Sequence, residues 1–180
     1  MLISYNELKS LVKSGVINAD PKNINGSSID ICLGDEIYVE RKESGFRSID
    51  LSDQNDELPM DKLKIGDNGF ILGPGLVCLG HSVEIFNLPD DISCNYYMRS
   101  SVARRFLNGL TAMWCDPGWS NSQLTLELHN TLKYHGLTLR RGLRVGQMTF
   151  LRHEKVPPNI SYSIRGRYNN QGGAVQSKGA

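Results

Sequence analysis

From Ser28 onward the chain is written in short alternating segments, and no other feature restricts its folding so tightly. Ile29, Ile31 and Leu33 alternate with polar partners in SIDICLG, and Ile37 and Val39 do so in EIYVER. Further segments of this kind are LVCLGHSVEIF, SCNYYMR, LTAMW, QLTLELHN, GLTLR and GQMTFLR. A period of two sends successive side chains to opposite faces, so such a segment buries one face only. The breaks between segments carry turn chemistry, as at Asp67-Asn68-Gly69 and Gly73-Pro74-Gly75. Many short strands joined by turns predict a sandwich or barrel and argue against a parallel sheet with crossover helices.

Two stretches break the pattern as helices. At the N-terminus, Ser4 followed by Glu7 reads as a capping box, Leu8, Leu11 and Val12 form an apolar stripe, and Gly15 ends it. A second, short helix is expected in VARRFL, with Ser100 or Ser101 as N-cap and Gly109 closing it. Residues 41–64 are polar and irregular and read as an excursion loop. Residues 165–180 are rich in Gly, Gln, Asn and Ser and read as a mobile tail or lid. No repeat or second composition block appears, so residues 1–180 are expected to form one domain. A chain of 180 residues can bury a sufficient core without disulfides or metals.

Hydrophobic residues at 39% and charged residues at 22% exclude a disordered or fibrous chain. No apolar run approaches the ~20 residues of a membrane helix, and MLISYNELKSLVKSG does not read as a secretory signal. A cytoplasmic protein with no membrane partner is expected. The net charge of +1 conceals an asymmetry. Residues 1–98 carry 8 Lys/Arg against 16 Asp/Glu, and residues 99–180 carry 12 against 3. A C-terminal half this basic suits a polyanion such as a nucleoside triphosphate, unless the two halves interleave and neutralise each other. Cys32, Cys78, Cys94 and Cys115 form no CxxC pair and are expected to be reduced and mostly buried. The four histidines form no HExxH, and no zinc-deaminase signature is present, so zinc is not expected.

Three places offer chemistry. Period two puts Leu124, Leu126 and Leu128 on one face of a strand, with Gln123, Thr125 and Glu127 on the other. Glu127 is then either a solvated residue or a rigidly mounted general acid/base. Asp116-Pro117-Gly118-Trp119 is a turn whose carboxylate can accept a sugar hydroxyl, or simply a turn with a packed Trp. Arg99, Ser100 and Ser101 at a helix start, and Arg165, Arg167, Tyr168 and Gln171 in the tail, are suited to phosphate. The plain alternatives are a capped helix and a loose terminus.

Taken in order, IDICLGDEIYV, RSSVAR, TAMWCDPGW, LTLELHN, RVGQMTF and RYNNQGGAV resemble the dCTP deaminase family of the dUTPase-like superfamily, over about residues 24–176. The resemblance implies a mainly β subunit, a distorted β-sandwich or jelly roll with an N-terminal helix and one short internal helix. It implies a homotrimer with active sites between subunits, dCTP as substrate, Mg²⁺ carried on the triphosphate, no zinc and no nucleic-acid partner. By motif, Arg99, Ser100 and Ser101 would contact the triphosphate and Arg104 would sit beside the catalytic carboxylate. The Ala112 backbone would help hold the base and the attacking water. Asp116 would take the 3′-hydroxyl, with Trp119 also at the substrate site, and Glu127 would be the catalytic carboxylate. Tyr162, Arg167 and Gln171 would come from a closing tail; the family more often has Lys at the position of Arg167.

Hydrolytic deamination at C4 of cytosine needs a water deprotonated, N3 protonated and ammonia released. One carboxylate can make all three transfers, with Arg104 and Ser100 orienting it. Three departures from the family pattern stand out. One extra residue lies between Trp119 and Glu127 and is expected as a β-bulge. One residue fewer separates Arg104 from Ala112. Trp114 is aromatic, as in bifunctional members that continue to dUMP, whereas YNNQGGAV looks more like the single-function group. With Glu127 and Asp116 committed, residues 99–180 leave only Glu154, outside every matched motif, to activate a second water, so dUTP and ammonia are the expected products; against this, Asp30 could enter the site from the N-terminal half. The alternatives are a bifunctional deaminase–dUTPase giving dUMP and diphosphate, a plain dUTPase, or a non-catalytic nucleotide-binding or structural β-sandwich.

Overall fold

The computed structural model describes residues 1–110 and 112–178. Thr111 of the expected LTAMW strand and residues 179–180 of the tail lie outside the described residues. Helix α1 (Tyr5–Lys13) opens the chain and buries Leu8 and Leu11. Ser4 is its N-cap, but no capping box forms, because Ser4 makes no side-chain cap bond. Glu7 instead accepts from Arg152, 2.8 Å from Nε and 2.6 Å from Nη2. A guanidinium outcompetes a backbone amide for the carboxylate.

Twelve strands follow: β1 (Ile17–Asn18), β2 (Ile29–Cys32), β3 (Glu36–Glu40), β4 (Met60–Lys64), β5 (Phe70–Leu72), β6 (Val77–Phe86), β7 (Ile92–Met98), β8 (Leu107–Gly109), β9 (Trp114–Cys115), β10 (Ser122–Asn130), β11 (Leu137–Leu139) and β12 (Arg144–Arg152). One-turn helices α2 (Ser100–Ala103) and α3 (Tyr162–Arg165) and a 3-10 turn at Pro21–Asn23 complete the set among the described residues. One sheet runs β4-β3-β6-β10-β8, with β1 also on β6, and a second runs β2-β12-β7-β9. A ribbon pairs β11 with β5. Every one of these pairings is antiparallel. The fold is mainly β, as the alternating pattern requires.

The core sits where the two sheets face each other. Phe86 of β6 stacks on Trp119 at 5.4 Å and meets Phe150 of β12 at 6.4 Å. Ile29, Ile31, Ile37, Leu126, Leu128 and Met148 close around them and are fully or almost fully buried. All four cysteines are free, and burial pushes the Cys78 thiol up to about 12.

Three local expectations are corrected. The 41–64 segment is not all loop, because Met60–Lys64 pairs with β3 as the sheet's edge strand. Its Lys62 and Lys64 mask the alternation, as charges on edge strands do. The expected VARRFL helix stops after Ala103, with Arg99 rather than a serine as N-cap. Leu107–Gly109 is instead drawn onto the edge of β10, pairing Gly109 with Leu128. The bulge lies on the other strand. Between Gln123 and Thr125, β10 advances two residues while β6 advances four, from Ile85 to His81. Ser82 Oγ bridges the gap by accepting from the Leu124 N–H at 2.8 Å. Burial along β10 therefore alternates without interruption, and Glu127 keeps the face that its sequence position assigns.

Between α2 and β8, Phe106 takes a left-handed conformation with φ 64° while its side chain is 59% exposed. Such a backbone is strained for a bulky residue and free for glycine. Phe106→Gly should stabilise the fold by about 1 kcal/mol, read as a higher urea midpoint at unchanged m-value.

Candidate active site

Strand β10 is held on both edges, so its outward face is a rigid shelf. Glu127 is opposite Leu79 of β6, and its carbonyl accepts from the Leu110 N–H at 2.9 Å. Its side chain is half-buried and opens into a cleft of about 640 Å³. Burial raises the Glu127 carboxyl above its ordinary value, partly offset by a hydrogen bond from the Ala112 backbone N–H.

One wall is the Asp116-Pro117-Gly118-Trp119 turn. The Trp119 N–H closes it onto the Asp116 carbonyl at 3.3 Å, and Gly118 supplies the positive φ of 86°. A Cβ at Gly118 would lie 2.2 Å from Ser161 Oγ, so the turn also needs glycine to pack on α3. The Asp116 carboxylate accepts from the indole N–H of the exposed Trp114 at 2.8 Å. Trp119 lines the cleft from within the core, its N–H donating to the Tyr168 carbonyl at 2.9 Å. Its role is to anchor the wall and the tail.

The tail packs mainly by hydrogen bonds, with Ala174 its buried apolar residue. The Gln123 N–H donates to the Gln171 carbonyl at 3.0 Å, and Gln171 Nε2 donates to the Gln123 carbonyl at 2.6 Å. The Gly173 and Val175 N–H groups donate to Gln123 Oε1 and Thr125 Oγ1. This leaves Gln171 Oε1 buried, with no hydrogen-bond partner among the described residues, at the cleft. Tyr162 of α3 lines the same space, and burial raises its phenol above the usual value.

Glu127, Ala112, Asp116, Trp119, Tyr162 and Gln171 thus meet in one cleft. Arg99, Ser100, Ser101, Arg104 and Arg167 are not among the described residues that line it. The first four sit on or beside α2, with both serines and Arg104 exposed. Asp30 is buried between Arg99 and Arg144, and Glu154 is exposed outside the cleft, so neither serves as a second carboxylate there. The roof holds what the sequence reading missed. Asp50, Asp53, Asp56 and Glu57 of the excursion loop line the cleft opposite β10. Their only signal was acidic density in a stretch without periodicity. Gln123 and Thr125, read only as neighbours of Glu127, turn out to dock the tail.

The two packed antiparallel sheets and the carboxylate-bearing cleft between turn, tail and loop define a β-sandwich protein with a cleft of small-molecule size. Residues 2–153 match the family described as dCTP deaminase-like, and the chain belongs to that family. Similar proteins include a "dCTP deaminase, dUMP-forming" of Rhodococcus jostii, 31% identical over 99% of this chain and 96% of the relative. Another of the same name, from Mycobacterium tuberculosis, is 32% identical over 99% of this chain and 95% of the relative. The solved 2′-deoxycytidine 5′-triphosphate deaminase of Agrobacterium tumefaciens shares the fold, with a TM-score of 0.66 at 18% identity. That match covers 84% of this chain and 48% of the solved one, so the chain spans about half its length.

A carboxyl raised above its ordinary 4.5 favours the fold when protonated. That contribution is present below about pH 4.5 and is lost as pH rises through the raised value. Glu127→Gln should therefore melt higher than the parent at pH 7, with the difference vanishing as the pH falls below about 4.5. Parallel thermal melts across pH check this.

Proposed function

We propose that the chain deaminates dCTP hydrolytically, with Glu127 as the general acid/base. The observation that carries this reading is a half-buried carboxylate on a rigid strand, with a raised pKa and a neighbouring backbone N–H, in a cleft sized for a nucleotide. Deamination at C4 asks one group to take a proton from water, pass it to N3 and assist the departure of ammonia. A raised carboxyl pKa brings the two protonation states closer in energy at neutral pH, which suits such a shuttle. Asp116, oriented by Trp114, would receive the 3′-hydroxyl, and the orphaned Gln171 Oε1 can accept a donor from the bound nucleotide.

Arg99, Ser100, Ser101 and Arg104 would reach the cleft of a neighbouring copy, which is why a homotrimer with shared sites belongs to this reading. Among the described residues no three His, Cys, Asp or Glu side chains converge as a metal site. A divalent ion would thus be held by phosphate oxygens, as Mg²⁺ is when it accompanies a triphosphate. The Mg²⁺ would neutralise charge on the phosphate chain, and the protein's part is to place that chain and hold the base against Glu127.

For the product we infer dUMP and diphosphate. The expectation of dUTP rests on a shortage of carboxylates; Glu57 lines the cleft together with Asp50, Asp53 and Asp56, which also bind Ser52, Asn55 and Arg47 within the loop, and these acids ease that shortage. The full-length similarity to proteins named dUMP-forming supports the same product. Incubation with dCTP and Mg²⁺, followed by chromatography and an ammonia assay, should show dUMP accumulating in step with ammonia. A dUTP pool in place of dUMP would reverse the product, and hydrolysis of dUTP with no ammonia from dCTP would leave a plain dUTPase. Light scattering during the assay should report a trimer.

Glu127→Gln should lower deamination by at least ~10²–10⁴-fold while leaving calorimetric dCTP binding within a few-fold. Activity should fall with pH along an acid limb displaced upward from the ordinary glutamate value, since only ionised Glu127 can take the water's proton. An acid limb centred at or below pH 4.5 would remove Glu127 from that role.

A further inference from the structure

Away from the cleft, one buried carboxylate carries two arginines. The Asp30 side chain, on β2, is 3% exposed. Its Oδ2 lies 3.2 Å from Arg144 Nη1, and its Oδ1 lies 3.4 Å from Arg99 Nε and accepts from Asn25 Nδ2 at 3.0 Å. The Arg99 N–H donates to the Val145 carbonyl at 2.9 Å, so the end of β7 and the start of β12 are fastened together beside Asp30. Neutralising one buried carboxylate needs one cation. Two guanidiniums nevertheless face it, with side chains 30% and 48% exposed, and the buried Glu84 lies close enough for the two carboxylates to repel each other. The nearest contacts use Arg144 Nη1 and Arg99 Nε, and both side chains keep part of their surface open to solvent. The exposed hydroxyls of Ser100 and Ser101 follow directly in the chain.

We propose that Arg144 binds the phosphate chain of the nucleotide together with Arg99, and that Asp30 is the positioning residue that presents both guanidiniums. This rests on the dCTP reading above, in which the Arg99 segment serves the triphosphate. A fixed pair of guanidiniums suits phosphate oxygens by bidentate, charge-assisted hydrogen bonds, and holding them in place beforehand lowers the ordering cost of binding. A buried anion behind the pair keeps two like charges adjacent before any phosphate arrives. The unoriented alternative is a pair of surface arginines whose loss would be felt only as a change in net charge.

The test measures dCTP turnover and the binding of magnesium tripolyphosphate, which has the phosphates but no base or sugar. Arg144→Gln should raise KM for dCTP about tenfold and weaken tripolyphosphate by the same factor. Arg144→Lys should restore part of both. Asp30→Asn should match or exceed Arg144→Gln in both readouts, with thermal melts showing that it is folded. Arg141→Gln removes an equal charge from the exposed turn before β12 and should leave both readouts at parent values. If Arg144→Gln behaves like Arg141→Gln while the parent deaminates dCTP, the proposal is wrong and the functional reading stands. If the parent releases no ammonia from dCTP, the reading beneath it fails. Weakened dCTP with unaltered tripolyphosphate would also overturn the proposal, because the arginines would then act on something other than phosphate.

Discussion

The ladder between β10 and β6 governs nearly everything at the cleft. It fixes which side chains of β10 enter the core and which form the shelf. Leu124, Leu126 and Leu128 fill the space between the sheets, so Gln123, Thr125 and Glu127 have only the outer face. A slip of one residue would bury Glu127 and expose three leucines. The bulge on β6 absorbs the irregularity that would otherwise cause such a slip, and Ser82 replaces the missing backbone acceptor. The same shelf then docks the tail through Gln123 and Thr125, so the register that orients Glu127 also sets where the tail lies.

Charge is distributed in two contrasting ways. Around Asp30, burial is matched by two cations and an amide, which hold the carboxylate in place. Around Glu127, burial is matched only by one backbone N–H, which leaves its proton affinity raised. One carboxylate is thereby fit to hold other groups still, and the other to exchange a proton. The basic excess of residues 99–180 is thus partly spent on acids from the N-terminal half, since Arg99 and Arg144 meet Asp30 and Arg152 meets Glu7 and Asp91. The halves interleave as one alternative had it, and the Asp30 cluster is where two arginines of the basic half converge.

Legibility in the sequence followed the range of the interaction concerned. The long strands β6, β7, β10 and β12 were readable because period-two burial is a local property. The turn at Asp116–Trp119 was readable because Pro and Gly restrict the backbone by themselves. The capping box at Ser4 and Glu7 was misread because Arg152, far along the chain, claims the carboxylate. The helix at VARRFL was overextended because the edge of β10 offers Leu107–Gly109 hydrogen bonds that no local helix propensity reveals. Edge strand β4 and the acids of the roof were missed for the same reason, since their places depend on β3 and on the cleft they cover.

By itself, the amino-acid sequence determined a mainly β chain, the alternating faces of β10, the Asp116–Trp119 turn and the family resemblance. These rest on residue type, spacing and short-range sterics, all of which are written along the chain. Tertiary structure alone decided that Asp30 lies locked between two arginines, that Gln171 keeps an unpaired oxygen at the cleft, and that α2 stands apart from Glu127 within one chain. Those outcomes depend on distances between segments tens of residues apart. Burial and hydrogen-bond competition set such distances only once both sheets have closed.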